Sequence, residues 1–120
     1  MRVPTLFLLL TCTLMGCAPP TYSDFTATLL NPAPLHVGRR TLEFRLVQRE
    51  ATLEAETVKI EGQMTHAGMG TVFDTARRVK PGVYRAEGFD LNMAGDWVLE
   101  LSLERGQRTE RGELRLSVNP

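Results

Sequence analysis

The feature that most constrains this fold is a strict alternation of apolar and polar residues near the C-terminal end of the chain. In residues 97–104 (WVLELSLE), every second residue counted from Trp97 is apolar, and most of the residues between them are polar. Residues 41–48 and 113–118 repeat the pattern. Because successive side chains of an extended strand point to opposite faces, this alternation predicts half-buried β-strands.

Weaker alternation predicts additional strands at residues 24–30, 56–64, 71–78 and 83–89. Glycine and proline separate these stretches, and Arg105-Gly106-Gln107 is typical of a hairpin turn between the two clearest strands. About seven short antiparallel strands at this spacing predict an all-β fold, an immunoglobulin-like β-sandwich. Residues 49–56 (REATLEAE) depart from the pattern, since their helical propensity predicts a turn of helix or a loop.

The single tryptophan, Trp97, begins the clearest of these strands. Its place in an alternating apolar row predicts a core position, where the indole buries a large area provided that its N–H finds an acceptor. The alternative is an exposed ring that stacks against a ligand.

The first sixteen residues differ in composition from the rest. Arg2 precedes a nearly continuous apolar run from Val3 to Leu14. A run of this length is too short to span a membrane and is typical of a cleaved secretory signal.

This run ends in Leu14-Met15-Gly16-Cys17, which resembles the lipobox of bacterial lipoproteins. The resemblance implies cleavage before Cys17 and a diacylglyceryl thioether on its sulfur. The proline-rich residues that follow are typical of a stiff tether. The predicted organisation is a signal peptide at 1–16, the lipidated cysteine and tether at 17–23, and the β-sandwich domain at 24–120. The alternative is an ordinary secreted protein with a cysteine there by chance.

The number of cysteines and the balance of charges limit the kinds of partner that this chain could have. The chain has two cysteines, Cys12 and Cys17, so under this interpretation the mature domain keeps no free thiol and no disulfide. Fourteen acidic and thirteen basic residues follow Cys17, which is not the basic balance expected of a nucleic-acid binder. The expected partners are a membrane, reached through the lipid on Cys17, and an envelope protein. The expected location is extracytoplasmic, in the cell envelope.

One glycine-rich segment, Met64-Thr65-His66-Ala67-Gly68-Met69-Gly70, carries the chemical signal of the chain. Met93 supplies a further thioether just before the Trp97 strand. Thioether sulfur combined with imidazole is a ligand set that favours Cu(I). Met64 and His66 are two residues apart, so their side chains lie on the same face of an extended strand. The alternative is that these methionines fill gaps in the core and bind no metal.

The stretch from Met64 to Leu103 resembles the YtkA-like domain family, a group of small extracytoplasmic β-sandwiches. The resemblance rests on the Met/His/Gly-rich loop, on the turn Pro81-Gly82-Val83-Tyr84 and on the strand start Gly95-Asp96-Trp97. It implies a membrane or lipid anchor, in agreement with Cys17. Together with the copper-handling sandwiches of the bacterial envelope, it implies metal delivery as one function.

The sequence shows no combination of residues that is suited to catalysis. The histidines are His36 and His66, and Ser102 and Ser117 fall on outward strand positions, so no nucleophile with a base is expected and the chain is predicted not to be an enzyme. Basic residues such as Arg105, Arg108 and Arg111 are expected to form a solvated surface paired with the neighbouring Glu104, Glu110 and Glu113, with contact to anionic lipid headgroups as the alternative.

Two functions therefore remain open. One is a non-catalytic copper-binding or copper-delivery module of the envelope, with Met64, His66, Met69 and Met93 as ligands to Cu(I). The other is a metal-free protein-interaction or structural module, which requires an exposed apolar patch or an unpaired sheet edge.

Overall fold

A computed structural model describes residues 23–66 and 70–120, and these residues contain only β-strands joined by turns and loops. The nine strands, in chain order, are β1 (Thr26–Leu29), β2 (Leu35–His36), β3 (Gly38–Gln48), β4 (Ala51–Thr52), β5 (Thr57–Met64), β6 (Val72–Lys80), β7 (Val83–Leu91), β8 (Gly95–Arg105) and β9 (Arg108–Asn119). Every strand predicted from the alternating pattern is present. The all-β prediction is confirmed.

The strands form one curled sheet in the order β1-β3-β7-β6-β5-β8-β9-β2, with β4 paired to β3. Its two halves, β1-β3-β7 and β5-β8-β9, face one another across the core, and β6 connects them because it pairs first with β5 and then with β7. This arrangement is the predicted sandwich. The prediction of about seven short antiparallel strands was incomplete, since β2 and β4 are additional and β2 pairs with β9 in parallel.

The core follows the alternation of the sequence. Along β8, every second residue from Trp97 to Leu103 is buried, and along β9 the buried row runs from Glu110 to Val118. The two strands are joined by the two-residue turn Gly106-Gln107, in which Gly106 has a φ of 62°, so the predicted hairpin is confirmed.

Residues 49–56 form no helix. Arg49 and Glu50 make a turn at positive φ, and β4 then pairs briefly with β3. The backbone beyond β4 bonds to partners outside the segment: the Leu53 N–H donates to the Leu46 carbonyl of β3 at 2.9 Å, and the Tyr84 hydroxyl, about thirty residues away, contacts both Leu53 and Ala55. Long-range hydrogen bonds therefore override the local helical propensity, since each backbone group makes one of these bonds in place of a helical one.

The chain enters the domain beside the β8–β9 hairpin. The Asp24 N–H donates to the Arg111 carbonyl at 2.8 Å, and the Arg111 N–H donates to the Asp24 carboxylate at 2.9 Å. The Phe25 ring packs onto Gly112, where a Cβ atom would lie 2.4 Å from a ring carbon. These contacts fasten the start of β1 to β9. We call this end of the sandwich the entry end.

The predicted signal peptide and the predicted lipidation site at Cys17 lie outside the described residues. Within residues 23–66 and 70–120, no helix is long and apolar enough to cross a membrane.

Candidate functional site

Three of the four predicted ligands, Met64, His66 and Met93, lie at the end of the sandwich opposite the entry end, where β5 finishes and β8 begins. Met64 is the last residue of β5 and is the Cα partner of Trp97 in β8. The Thr65 N–H donates to the Asp96 carbonyl at 3.1 Å, which holds the start of the β5–β6 loop against β8. We call this end of the sandwich the ligand end.

Gly95 brings Met64 and His66 together. A Cβ atom built on Gly95 would lie 2.8 Å from the Met64 Cε atom and 3.9 Å from the His66 Nε2 atom. The missing side chain of Gly95 therefore leaves a cradle that the ends of a thioether and an imidazole approach. Met64 is buried and His66 is exposed, so the pair reaches from the core to the solvent.

Met93 lies in the turn that precedes Gly95, with 44% of its surface exposed. Its backbone is fixed by Trp97, whose Nε1–H donates to the Met93 carbonyl at 3.0 Å. The indole is buried at 1% exposure and meets the Phe89 ring edge to face. The core prediction for Trp97 is confirmed together with its N–H partner, and a buried ring is not free to stack against a ligand.

The remaining predicted ligand, Met69, lies outside the described residues. Within residues 23–66 and 70–120, no three His, Cys, Asp or Glu side chains gather as a set that could hold a metal ion. The donors that meet at the ligand end are thus the thioether of Met64 and the imidazole of His66, with the Met93 thioether in the adjacent turn. The second histidine, His36, is exposed at this end, and its Nδ1 atom lies 3.2 Å from the Pro120 oxygen.

We expect Gly95→Ala to destabilise the domain by about 2 kcal/mol and to displace the Met64 methyl group. Gly95 has a φ of 130°, a conformation that costs a residue with a side chain on the order of 1–3 kcal/mol. A chemical denaturation curve measures the stability, and the NMR shift of the Met64 methyl group reports its displacement.

Gly88→Ala is the matched control for this variant. Gly88 has a φ of 72°, but no atom lies within 4 Å of its missing Cβ. It should show the backbone cost without moving Met64. A Met64 methyl signal that shifts equally in both variants would contradict the cradle.

One acidic residue, Glu110, is more buried than predicted. Glu110 was grouped with surface glutamates that pair with arginines, yet only 7% of it is exposed. Its Oε1 atom accepts from Gln48 Nε2 at 3.1 Å, and its Oε2 atom lies 3.7 Å from Arg105 Nη1. The signal was available, because Glu110 belongs to the same alternating row as Leu114.

The fold and the ligand end together define an all-β sandwich in which a methionine and a histidine side chain, Met64 and His66, approach one glycine at one end. The model of the YtkA-like family matches residues 21–102, and the chain belongs to this family. The match is longer than the resemblance seen in the sequence and covers β1 to most of β8, whereas β9 completes the sheet beyond it. No curated protein and no solved structure gives a match to the chain.

Proposed function

We propose that this YtkA-like protein is a lipid-anchored, extracytoplasmic and non-catalytic binding module that holds Cu(I) at its ligand end. Its ligands are Met64, His66 and Met93, with Met69 added from the sequence prediction. The module stands in the cell envelope on the lipid of Cys17 and takes up or delivers copper there.

The observation that carries the proposal is the cradle at Gly95. The Met64 methyl and the His66 Nε2 atom both approach the space left by the missing side chain of Gly95, which brings a thioether and an imidazole close together where the core meets the solvent. The donor set fits the metal, because soft thioether sulfur selects Cu(I) and imidazole also suits copper. The residues present therefore fit a Cu(I) site.

The supporting residues hold these donors in place. The Trp97 N–H fixes the turn that carries Met93, and the Asp96 carbonyl fixes the strand end that carries His66. Preorganised donors lower the cost of binding because fewer side-chain and loop motions are lost when the ion arrives. Cu(I) bound at these donors would be a soft cation that the module could take up or deliver.

The anchor part of the proposal rests on the N-terminal sequence. The apolar run is typical of a cleaved secretory signal, and its end, Leu14-Met15-Gly16-Cys17, resembles the lipobox of bacterial lipoproteins, which implies a lipid on Cys17. Two acyl chains on one cysteine are sufficient for stable membrane attachment, whereas one is marginal.

The test is an anaerobic Cu(I) competition against a chromophoric chelator with the domain from Ala18 to Pro120. Every buried core residue of the described part lies between Phe25 and Val118, so this fragment contains the whole described core. We expect one Cu(I) per chain. A Met64→Leu/His66→Ala/Met69→Leu variant should bind Cu(I) at least about 100-fold more weakly. Mutating residues that merely hydrogen-bond to metal ligands already lowers metal affinity about 10–100-fold, and this variant removes three of the ligands themselves.

Leucine is used at Met64 because it keeps the volume of this buried side chain, which limits the loss of stability. The matched control is His36→Ala, which removes the other histidine of the same end and should leave the affinity unchanged. Equal competition by the triple variant and the wild type would contradict the assignment of the site. No competition by the wild type would contradict copper binding altogether.

The second candidate, a metal-free interaction module, is favoured by Phe73 on β6. This ring is 72% exposed and borders a shallow groove on the outer face of β5, β8 and β9. Within the described residues, β6 pairs with β7 only from Arg77 onward, so its first half is a sheet edge paired on one side. An exposed aromatic ring beside such an edge is suited to another strand.

A further inference from the structure

Basic side chains gather on the outer face of β3, β7 and β6, in the half of that face nearest the entry end. Arg45, Arg77 and Arg85 each follow a buried residue of their strand, so they point outward. Arg77 is the Cα partner of Arg85, and Lys80 and Arg45 are both Cα partners of Val83. The four basic residues therefore lie in two adjoining rows, and we call them the basic face.

Most of the basic face has no ion partner within the domain. The Arg85 guanidinium donates to the Glu43 carboxylate at 2.6 Å. In the described part of the chain, no carboxylate forms an ion pair with Arg45, Arg77 or Lys80. Like charges directly opposite each other destabilise a sheet, so Arg77 beside Arg85 is unfavourable unless an anion lies against them.

The other acidic residues near the basic face do not cancel its charge. Glu87 and Asp90 follow along β7 on the side of the ligand end. Residues 49–56 contribute acids at the entry end, and one of them, Glu54, already holds Arg78 at 2.6 Å. A net positive charge therefore remains on the basic face.

The opposite outer face of the sandwich is acidic. Glu61, Glu100 and Glu113 are successive Cα partners across β5, β8 and β9. Together with Asp96 and Glu104, they outnumber the basic residues that point outward there, which are Lys59, Arg111 and Arg115. Acidic and basic residues are mixed along the sequence, but the fold separates them onto two faces.

The chain enters the domain beside the basic face. The first strand, β1, pairs with β3, and Thr28 is the Cα partner of Arg45. Three strand spacings, about 14 Å, separate β1 from β6. Residues 17–23 span at most about 25 Å when fully extended. A lipid on Cys17 would therefore keep the whole basic face within reach of the membrane surface.

An exposed apolar side chain accompanies these charges. Val79 is 43% exposed and lies next to Lys80, where the pairing of β6 with β7 shifts register. Basic groups beside an exposed apolar group suit a lipid surface, where headgroups and acyl chains adjoin. A soluble anion such as phosphate offers no apolar contact. The combination therefore favours a membrane over a free anion.

We infer that the basic face rests on anionic phospholipid headgroups of the membrane that carries the anchor. This inference rests on the proposed lipid on Cys17 and adds which side of the domain meets the bilayer. Each basic residue contributes weakly, but the anchor raises the local concentration of headgroups and makes weak contacts effective. The strands then run along the bilayer surface, so the ligand end opens sideways and is not covered by the membrane.

The test is co-sedimentation of the domain from Ala18 to Pro120 with sucrose-loaded vesicles at low salt. Vesicles of equal parts phosphatidylglycerol and phosphatidylcholine should bind the domain, and vesicles of phosphatidylcholine alone should not. Added salt should reverse the binding. Arg77→Gln/Lys80→Gln should lower the partition coefficient about 25-fold, since each basic residue near an anionic surface contributes a factor of about five, or about 1 kcal/mol.

Two variants make the result specific. Lys59→Gln/Arg115→Gln removes the same charge from the opposite, acidic face and should change the partition coefficient less than about twofold. Arg77→Lys/Lys80→Arg keeps both charges and should bind as the wild type does. Together they separate the position of the charges from their number and from the identity of the side chains.

Three outcomes would overturn the inference. The first is no binding of the wild type to anionic vesicles, and the second is an equal loss in the variant of the acidic face. The third is displacement by inorganic phosphate beyond that caused by sodium chloride at the same ionic strength, which would indicate a site for a free anion. The fragment lacks Cys17, so these results do not depend on the anchor, which mass spectrometry of the N-terminal peptide of the full chain tests separately.

Discussion

Replacing Trp97 by alanine should lower the free energy of unfolding by about 4 kcal/mol, in the range of large aromatic truncations in a core. The indole is 1% exposed, lies edge to face with Phe89 at a centroid distance of 6.4 Å, and donates a hydrogen bond to the Met93 carbonyl. The variant loses the buried area and leaves that carbonyl without its donor. A domain of this size should then melt on the order of 20 °C lower.

Far-UV circular dichroism is the suitable measurement, because Trp97 is the only tryptophan and its fluorescence is lost with it. The matched control is Val98→Ala in the neighbouring position, which points outward from the same strand and should cost less than about 1 kcal/mol. Equal melting temperatures for the wild type and Trp97→Ala would show that the ring does not support the core.

Replacing Tyr84 by phenylalanine should cost about 3 kcal/mol, although only one oxygen atom is removed. The hydroxyl donates to the Leu53 carbonyl and accepts from the Ala55 N–H, each at 2.7 Å. Without it, both backbone groups lose their partner in a largely buried site, and each such loss costs on the order of 1–3 kcal/mol. Urea denaturation of the two proteins at neutral pH measures the difference.

Because of the same hydroxyl, we expect the free energy of unfolding to fall at alkaline pH. Desolvation by burial raises the pKa of Tyr84 above its ordinary value of 10.0, so the folded state holds this proton more tightly than the unfolded state. The contribution is fully present below the unfolded pKa and is lost as the pH rises through the folded pKa. Tyr84→Phe should therefore show a shallower decline of stability above about pH 10 than the wild type.

Tyr22→Phe is the control for this pH dependence, because Tyr22 is the other tyrosine of the chain. It should keep the steep alkaline decline. Identical alkaline slopes for the wild type and Tyr84→Phe would mean that Tyr84 does not produce the effect.

The strands were predictable because their signal is local. The alternation in β3, β8 and β9 specifies which side chains point inward, whatever the strands pair with. The segment at 49–56 was not predictable in this way. Its conformation depends on Tyr84, which is distant in sequence, and on the neighbouring strand residue Leu46, whereas its composition alone favours a helix.

The candidate site was predictable in its residue types but not in its geometry. The sequence indicates Met64, His66 and Met93 because thioether and imidazole groups near glycines are unusual in a small domain. It does not show that Gly95 is the residue over which two of them meet. That contact arises from the pairing of β5 with β8, whose register sets Met64 beside Trp97.

The sequence by itself determined the all-β class, the inward face of each long strand and the membership of the YtkA-like family. Only the tertiary structure decided which strands pair, that Glu110 is buried, and that Met64 and His66 meet at Gly95. The physical reason is how far apart in the chain the interacting residues lie. Side-chain alternation follows from the geometry of a single strand, whereas pairing and shared ends depend on contacts between residues far apart in the chain.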